Sequence, residues 1–294
     1  MSTAPAAAVQ EAYAHCQAVT KREARNFYFA FITLPARRRR AIYAVYAFAR
    51  LADDIADGEA PVPEKTTGLA ALRQDLHAAY AGDPRGHVFT ALAHAASEYG
   101  IEQALFDQLI DGVEMDLVPR RYATFDELRE YCYRVASVVG LISIDIFGYR
   151  DPRARDAAID LGLAMQLTNI MRDLREDAEA GRVYLPAEDM ERFGYSEDEL
   201  MRGVVSPSFV ELMRFEAERA RRYYRSAATL LNYLSPRSRA CPAVLHGLYS
   251  RLLDRMEQRG FAVFGDRVRL SSGEKLRLMA KHWATSLLPR LRAT

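Results

Sequence analysis

The chain has 294 residues, half of them hydrophobic and about a quarter charged, which is ample apolar material for a core. Its 40 lysines and arginines are balanced by 39 acidic residues, so it lacks the excess of positive charge that marks a nucleic-acid binder. Three widely separated cysteines, Cys16, Cys132 and Cys241, argue against a disulfide framework or a zinc site and fit a reducing cytoplasm. The opening "MSTAPAAAVQEAYAHC" is not built like a signal peptide, and no apolar run reaches the ~18 residues of a membrane span. The expectation is a cytoplasmic protein that at most rests on the inner membrane surface.

Nearly every segment repeats with helical period, and none alternates as a strand would. The pattern predicts helices over 7–20, 36–57, 65–81, 87–98, 101–117, 124–148, 153–177, 207–231, 239–260 and 272–290. Breakers separate them at "GEAPVPEK" (58–65), "AGDPRG" (81–86), "GYRDPR" (148–153) and "SPRS" (235–238). "TFDE" (124–127) reads as a capping box, with Thr124 as N-cap and Glu127 three residues on. The stretch 181–200 reads as a long ordered loop carrying a short helix. Length alone allows two domains, but no repeat, linker or composition shift divides the chain. One all-α domain over 1–294 is therefore expected.

Two polar stripes stand out against this background. In 36–57, Tyr46, Arg50, Asp53 and Asp57 step by three or four residues and share one face, while Ala44, Phe48, Leu51 and Ile55 form an apolar stripe opposite. Alone, such an acidic face is equally a solvated surface. The segment "DLGLAMQLTNIMRDLRED" (160–177) is apolar on most sides, which implies burial, yet Gln166, Asn169, Asp173 and Asp177 line one face. Buried polar groups need partners, so this row points to an internal polar wall. Each segment offers a D-x-x-x-D pair, 53/57 and 173/177. Carboxylates on facing helices suit Mg²⁺, which is held by one or two carboxylates plus waters and substrate phosphates. Di-iron bundles also use facing carboxylates but need Glu-x-x-His motifs, which are absent here.

"YAVYAFARLADDIAD" (43–57), "YCYRVASVVGL" (131–141) and "LAMQLTNIMRDLREDAEAGRVYLP" (163–186) resemble, in this order, the squalene/phytoene synthase family of head-to-head prenyl transferases. The resemblance runs from about residue 20 to 290. It implies a single-domain isoprenoid-synthase α-helical bundle around a central cavity, with two or three Mg²⁺ ions and the diphosphates of two prenyl substrates held by the aspartate motifs. By position, Asp53, Asp57, Asn169, Asp173 and Asp177 fall on metal ligands. Tyr46, Arg50, Gln166, Asn169 and Arg172 fall on substrate-binding places, and Tyr131 on the family tyrosine near the diphosphate and the carbocation. Asp54 belongs to the first motif but points about 100° away from Asp53. One departure is "EARNF" (23–27), where Glu23, Ala24 and Asn26 replace the small hydroxylated residues of some members.

The implied reaction couples two prenyl diphosphates through a cyclopropyl diphosphate intermediate. The main reading from the motifs is two farnesyl chains giving a squalene-type C30 product in hopanoid biosynthesis. The alternative is two geranylgeranyl chains giving phytoene. A catalytically inactive assembly factor of the same fold is the third reading, and it should have lost aspartates that this chain keeps. No G-x-G-x-x-G or P-loop motif is present, so the sequence gives no basis for inferring NADPH. Glu114 and Asp116 in "LIDGVEMDL" (109–117) read as a polar face. "RRRR" (37–40) reads as a solvated helix end or a contact for anionic lipid, and the tail "HWATSLLPRLRAT" as a segment able to rest on an anionic membrane.

Overall fold

The computed structural model describes residues 6–287. The chain builds α1 (Ala6–Glu23), α2 (Arg25–Phe31), α3 (Ala36–Asp57), α4 (Val62–Tyr80), α5 (Gly86–Tyr99) and α6 (Gln103–Glu114), which tightens into a 3₁₀ turn over Met115–Leu117. Next come α7 (Phe125–Cys132), a π-helical segment (Tyr133–Ser137), α8 (Val138–Phe147), α9 (Ala154–Arg172) and α10 (Leu174–Glu179). Two short helices, α11 (Ala187–Arg192) and α12 (Glu197–Met201), precede α13 (Pro207–Ala227), α14 (Leu230–Tyr233), α15 (Pro236–Gln258) and α16 (Ser272–Leu287). No strand occurs among the described residues, and the buried side chains form one continuous cluster.

Apolar periodicity explains how α3 is seated. Phe48 is fully buried and meets Phe89 of α5 and Phe106 of α6 edge-on, with ring centroids 6.1 and 5.2 Å apart. Burying such a ring contributes about 1.5–3 kcal/mol. Ile55 packs so tightly on α4 that a Cβ on Gly68 would lie 3.0 Å from its Cγ2. Helix α9 is buried nearly all round, as its composition requires, among α8, α13, α15 and the π segment. Its buried Thr168 hydroxyl donates to Ala164 O at 2.7 Å and lies 2.8 Å from the Tyr224 hydroxyl.

Several predicted helices are interrupted. The 124–148 helix widens into the π segment, which is wedged between two glycines. A Cβ on Gly162 would lie 2.5 Å from Ser137 Cα, and one on Gly112 would lie 2.8 Å from Arg134 Cβ. The 153–177 helix breaks at Asp173 (φ −102°, ψ 13°), where α9 stops and α10 restarts. The 207–231 helix ends at Ala227 before the short α14. Helix α2 falls where none was expected. Its "RNFYFAF" has little intrinsic helix preference, and tertiary contact stabilises it, Phe27 and Phe31 packing on Tyr46 with centroids 6.3 and 6.2 Å apart.

Capping differs in detail as well. Thr124 accepts from Glu127 N at 3.3 Å, but Glu127 reaches back to Ala123 N at 2.7 Å rather than to Thr124 N, so the expected box is half formed. The complete capping box is at Ser196 and Glu199. The four consecutive arginines are not a free basic patch. Arg37 and Arg40 pair with Glu98, Arg38 donates to Ser235 and Ser238, and Arg39 donates to Ile32 O. These contacts fasten α3 to α5 and α15.

Candidate active site

A deep apolar cavity runs through the centre of the bundle. Helix α3 lines it with Ile42, Val45, Tyr46, Ala49 and Asp53, and α9 with Leu161, Met165, Gln166 and Asn169. Helix α2 adds Phe27 and Phe31, α8 adds Val139, Ser143 and Phe147, and α15 adds Cys241, Pro242 and Leu245. From Ile42 to Asp53 the wall extends about 16 Å along α3, at about 1.5 Å per residue. The polar groups gather at the Asp53 end.

There the two aspartate motifs approach each other. Arg182, on the turn after α10, lies between them, with Nη1 4.0 Å from Asp57 Oδ1 and Nε 3.6 Å from Asp177 Oδ1. Asp53 is open to solvent yet walled in by the cleft. Loss of hydration there, with the neighbouring Asp57 charge, pushes its carboxyl up to about 6. Burial pushes Asp177 to about 7 against the opposing pull of Arg182, with Asp173 reinforcing the rise. These carboxylates crowd one another in a poorly hydrated place and favour any added positive charge.

The other motif residues are more constrained than the stripes suggested. Asp173 is held by Arg172, whose Nε lies at 2.7 Å, and by Arg267, whose Nη2 also lies at 2.7 Å. The guanidinium of Arg50 turns to Asp54 at 2.5 Å instead of standing free beside Asp53 and Asp57. Asp54 therefore serves as a partner for arginine. Gln166 Oε1 accepts from Asn169 Nδ2 at 3.4 Å, which leaves Asn169 Oδ1 buried with no partner. That orphaned oxygen, among carboxylates, is the donor chemistry a hard divalent cation takes. Among the described residues no three His, Cys, Asp or Glu side chains converge closely enough to hold an ion by themselves, so any ion here needs further oxygen ligands.

Beside the acidic mouth is a second, polar recess. Phe27 and Tyr46 are common to it and the cavity, and Arg172, Tyr249, Arg267, Arg269 and Lys275 line the rest. Glu23 and Ala24 of the divergent "EARNF" stretch also line it, whereas the Asn26 side chain lies outside what the structure describes.

Tyr131 is buried, and its hydroxyl donates to Asp116 Oδ2 at 2.8 Å. Tyr184 donates to the other oxygen, Oδ1, at 2.7 Å, and the two tyrosine rings stack with centroids 5.1 Å apart. Asp116 is thus a half-buried member of the acidic cluster rather than part of a solvated face. Burial pushes its carboxyl above the usual range, while the two hydroxyls oppose the rise. Arg182, Tyr184 and Arg267 are the site residues that the sequence reading did not single out, and Asp116 is one it read only as part of a polar face. Arg182 and Tyr184 fall inside the motif "GRVYLP", but Arg267 carries no local signal, since folding alone brings it to Asp173.

The fold and this acidic-mouthed cavity define an all-α isoprenoid synthase. The sequence profile of the squalene/phytoene synthase family matches residues 20–274, and the chain belongs to that family. It is 37% identical to a 15-cis-phytoene synthase of Synechocystis sp., covering 96% of this chain and 87% of that one. It is 36% identical to a phytoene synthase of Mycobacterium tuberculosis, covering 95% and 93%. Among solved structures it superposes on a dehydrosqualene synthase (TM-score 0.87, 30% identity, 94% and 97% covered). It also superposes on a squalene synthase from Alicyclobacillus acidocaldarius (TM-score 0.82, 25% identity, 88% and 97% covered).

Proposed function

We propose that the protein condenses two geranylgeranyl diphosphates head to head and releases phytoene. This reverses the order in which the motifs alone placed the two products: the curated relatives at 36–37% identity are phytoene synthases. The observation that carries the coupling chemistry is the joining of a long apolar cavity to paired carboxylates and an orphaned amide oxygen at one end. Two or three Mg²⁺ ions fit Asp53, Asp57, Asn169, Asp173 and Asp177 once diphosphate oxygens complete their shells. When bound, they offset the charge of a leaving diphosphate.

The chain's own groups supply the rest. Arg172 and Arg267, both paired with Asp173, are placed to exchange that partner for a diphosphate, and Arg182 sits where a second one would meet Asp57 and Asp177. Phe27, Phe31 and Tyr46 present aromatic faces along the cavity, where each such face stabilises a cation by about 0.5–2 kcal/mol. The apolar walls exclude water from allylic cations that it would otherwise capture. The ending that yields phytoene removes a proton and needs no reductant.

Product analysis with farnesyl and geranylgeranyl diphosphate, each with and without NADPH, tests this reading. The expected result is a C40 hydrocarbon from geranylgeranyl diphosphate that is indifferent to NADPH. A preference for farnesyl diphosphate with NADPH-dependent C30 output would restore the squalene reading.

A further inference from the structure

The cavity has a far end that the ionisation chemistry does not use. Its charged mouth is at Asp53 and Asn169, and Leu161, eight residues before Asn169 on α9, lies about 12 Å from it. There Leu161, Leu230 and Pro242 line both the cavity and a second groove, so a single layer of side chains separates the two. The groove continues past Ala228 and His246 to the surface between α13 and α15. Apart from His246 and His282, every side chain that lines it beneath α16 is apolar. Burial lowers both histidines below the usual range, which keeps them neutral at pH 7. The wall itself is weakly tied. Pro242 has no backbone N–H to donate, so α15 lacks one helical hydrogen bond there, and Leu230 stands on the four-residue α14.

Substrate and product differ in what they can pass. Each substrate carries a diphosphate, which belongs at the acidic mouth. The hydrocarbon carries no polar group, and at the mouth it would meet carboxylates, arginines and the released diphosphates. Apolar chains are driven out of such hydrated, charged surroundings. We propose that the hydrocarbon leaves by the far end, through the wall of Leu161, Leu230 and Pro242 and along the groove beneath α16, an inference that rests on the head-to-head reading above. The diphosphates leave by the mouth.

The three native cysteines are buried, so a thiol placed in the groove can be blocked selectively. Ala228 suits this purpose, being exposed, in the groove and outside the cavity wall. Full-length Ala228→Cys is assayed with geranylgeranyl diphosphate, Mg²⁺ and phosphatidylcholine vesicles as acceptor, before and after reaction with pyrene maleimide. Ala71→Cys, exposed on α4, is treated identically. Unlabelled, both should turn over as wild type does. Labelling Ala228→Cys should spare the rate of the first turnover and slow steady-state turnover about tenfold, as a hindered product release does. The C40 hydrocarbon should then stay with the protein through gel filtration. Labelling Ala71→Cys should change neither rate. Unchanged steady-state turnover in labelled Ala228→Cys overturns the proposal. So does a first turnover slowed as much as the steady state, since the label would then act on the chemistry. If Ala228→Cys does not fold, Leu231→Cys in the same groove takes its place and is judged by the same outcomes. Failure of the head-to-head reading is distinct: wild type would then give no coupled product from either prenyl diphosphate, and the outlet would fall with it.

Discussion

Asp53 and Asp177 hold protons more tightly in the folded chain than an unfolded one would, at about 6 and about 7 against an ordinary 3.8. Between pH ~4 and ~7 the folded state therefore binds the extra protons, and these groups make the metal-free protein less stable as pH rises through that window. Asp53→Asn and Asp177→Asn should melt higher than wild type at pH 7.5, with the gain shrinking toward pH 5. Both should lose turnover by at least about a hundredfold. Calorimetry at the two pH values checks the first part, and variants that melt lower at pH 7.5 would refute the crowding account. The sequence showed these aspartates because their spacing repeats with the helix. It did not show Arg182 between Asp57 and Asp177, since only the turn after α10 places that side chain there.

At the scale of elements, two interruptions shape the site, and neither has a sequence signature. The π segment over 133–137 and the break at Asp173 both lie inside stretches of unbroken helical period. The first is in tight contact on two sides, with Gly162 of α9 and Gly112 of α6 leaving no space for a Cβ against it. Gly162→Ala should therefore cost about 1–3 kcal/mol, as overpacking does. Unchanged stability in denaturant titrations would refute the close approach of α9 to this segment. A second element-level tie is the buried Arg219, whose Nη1 donates to Asp189 at 2.7 Å and Glu216 at 2.6 Å, locking α11 to α13. Arg219→Leu leaves two buried carboxylates unpaired and should destabilise by about 3–5 kcal/mol. A loss under 1 kcal/mol in the same titrations would mean that water reaches the pair.

Taken whole, the molecule puts charge at one end of an apolar cavity. The helical architecture was readable because amphipathic period survives in nearly every segment, whereas the cavity was not, because apolar residues that line a space and apolar residues that fill it look alike. No helix among the described residues is long and apolar enough to span a membrane. Helix α16 nonetheless exposes Leu276 and Trp283, 54% and 49% accessible, on a helix that also carries the exposed Arg277 and Lys281. This keeps the surface-association proposal, although residues 288–294 of the tail lie outside the described chain. Vesicles containing anionic lipid should bind the protein at low salt and release it at high salt. Equal binding to neutral vesicles at high salt would refute the electrostatic part.

The claim on which the account turns is that one cavity ionises two diphosphates for each hydrocarbon made. Counting diphosphate released against C40 product formed, at saturating Mg²⁺ and without NADPH, tests it directly. The account predicts two diphosphates per hydrocarbon, with release abolished by a chelator. One diphosphate per coupling, with a longer prenyl diphosphate as product, would make the protein a chain-elongating transferase and contradict it.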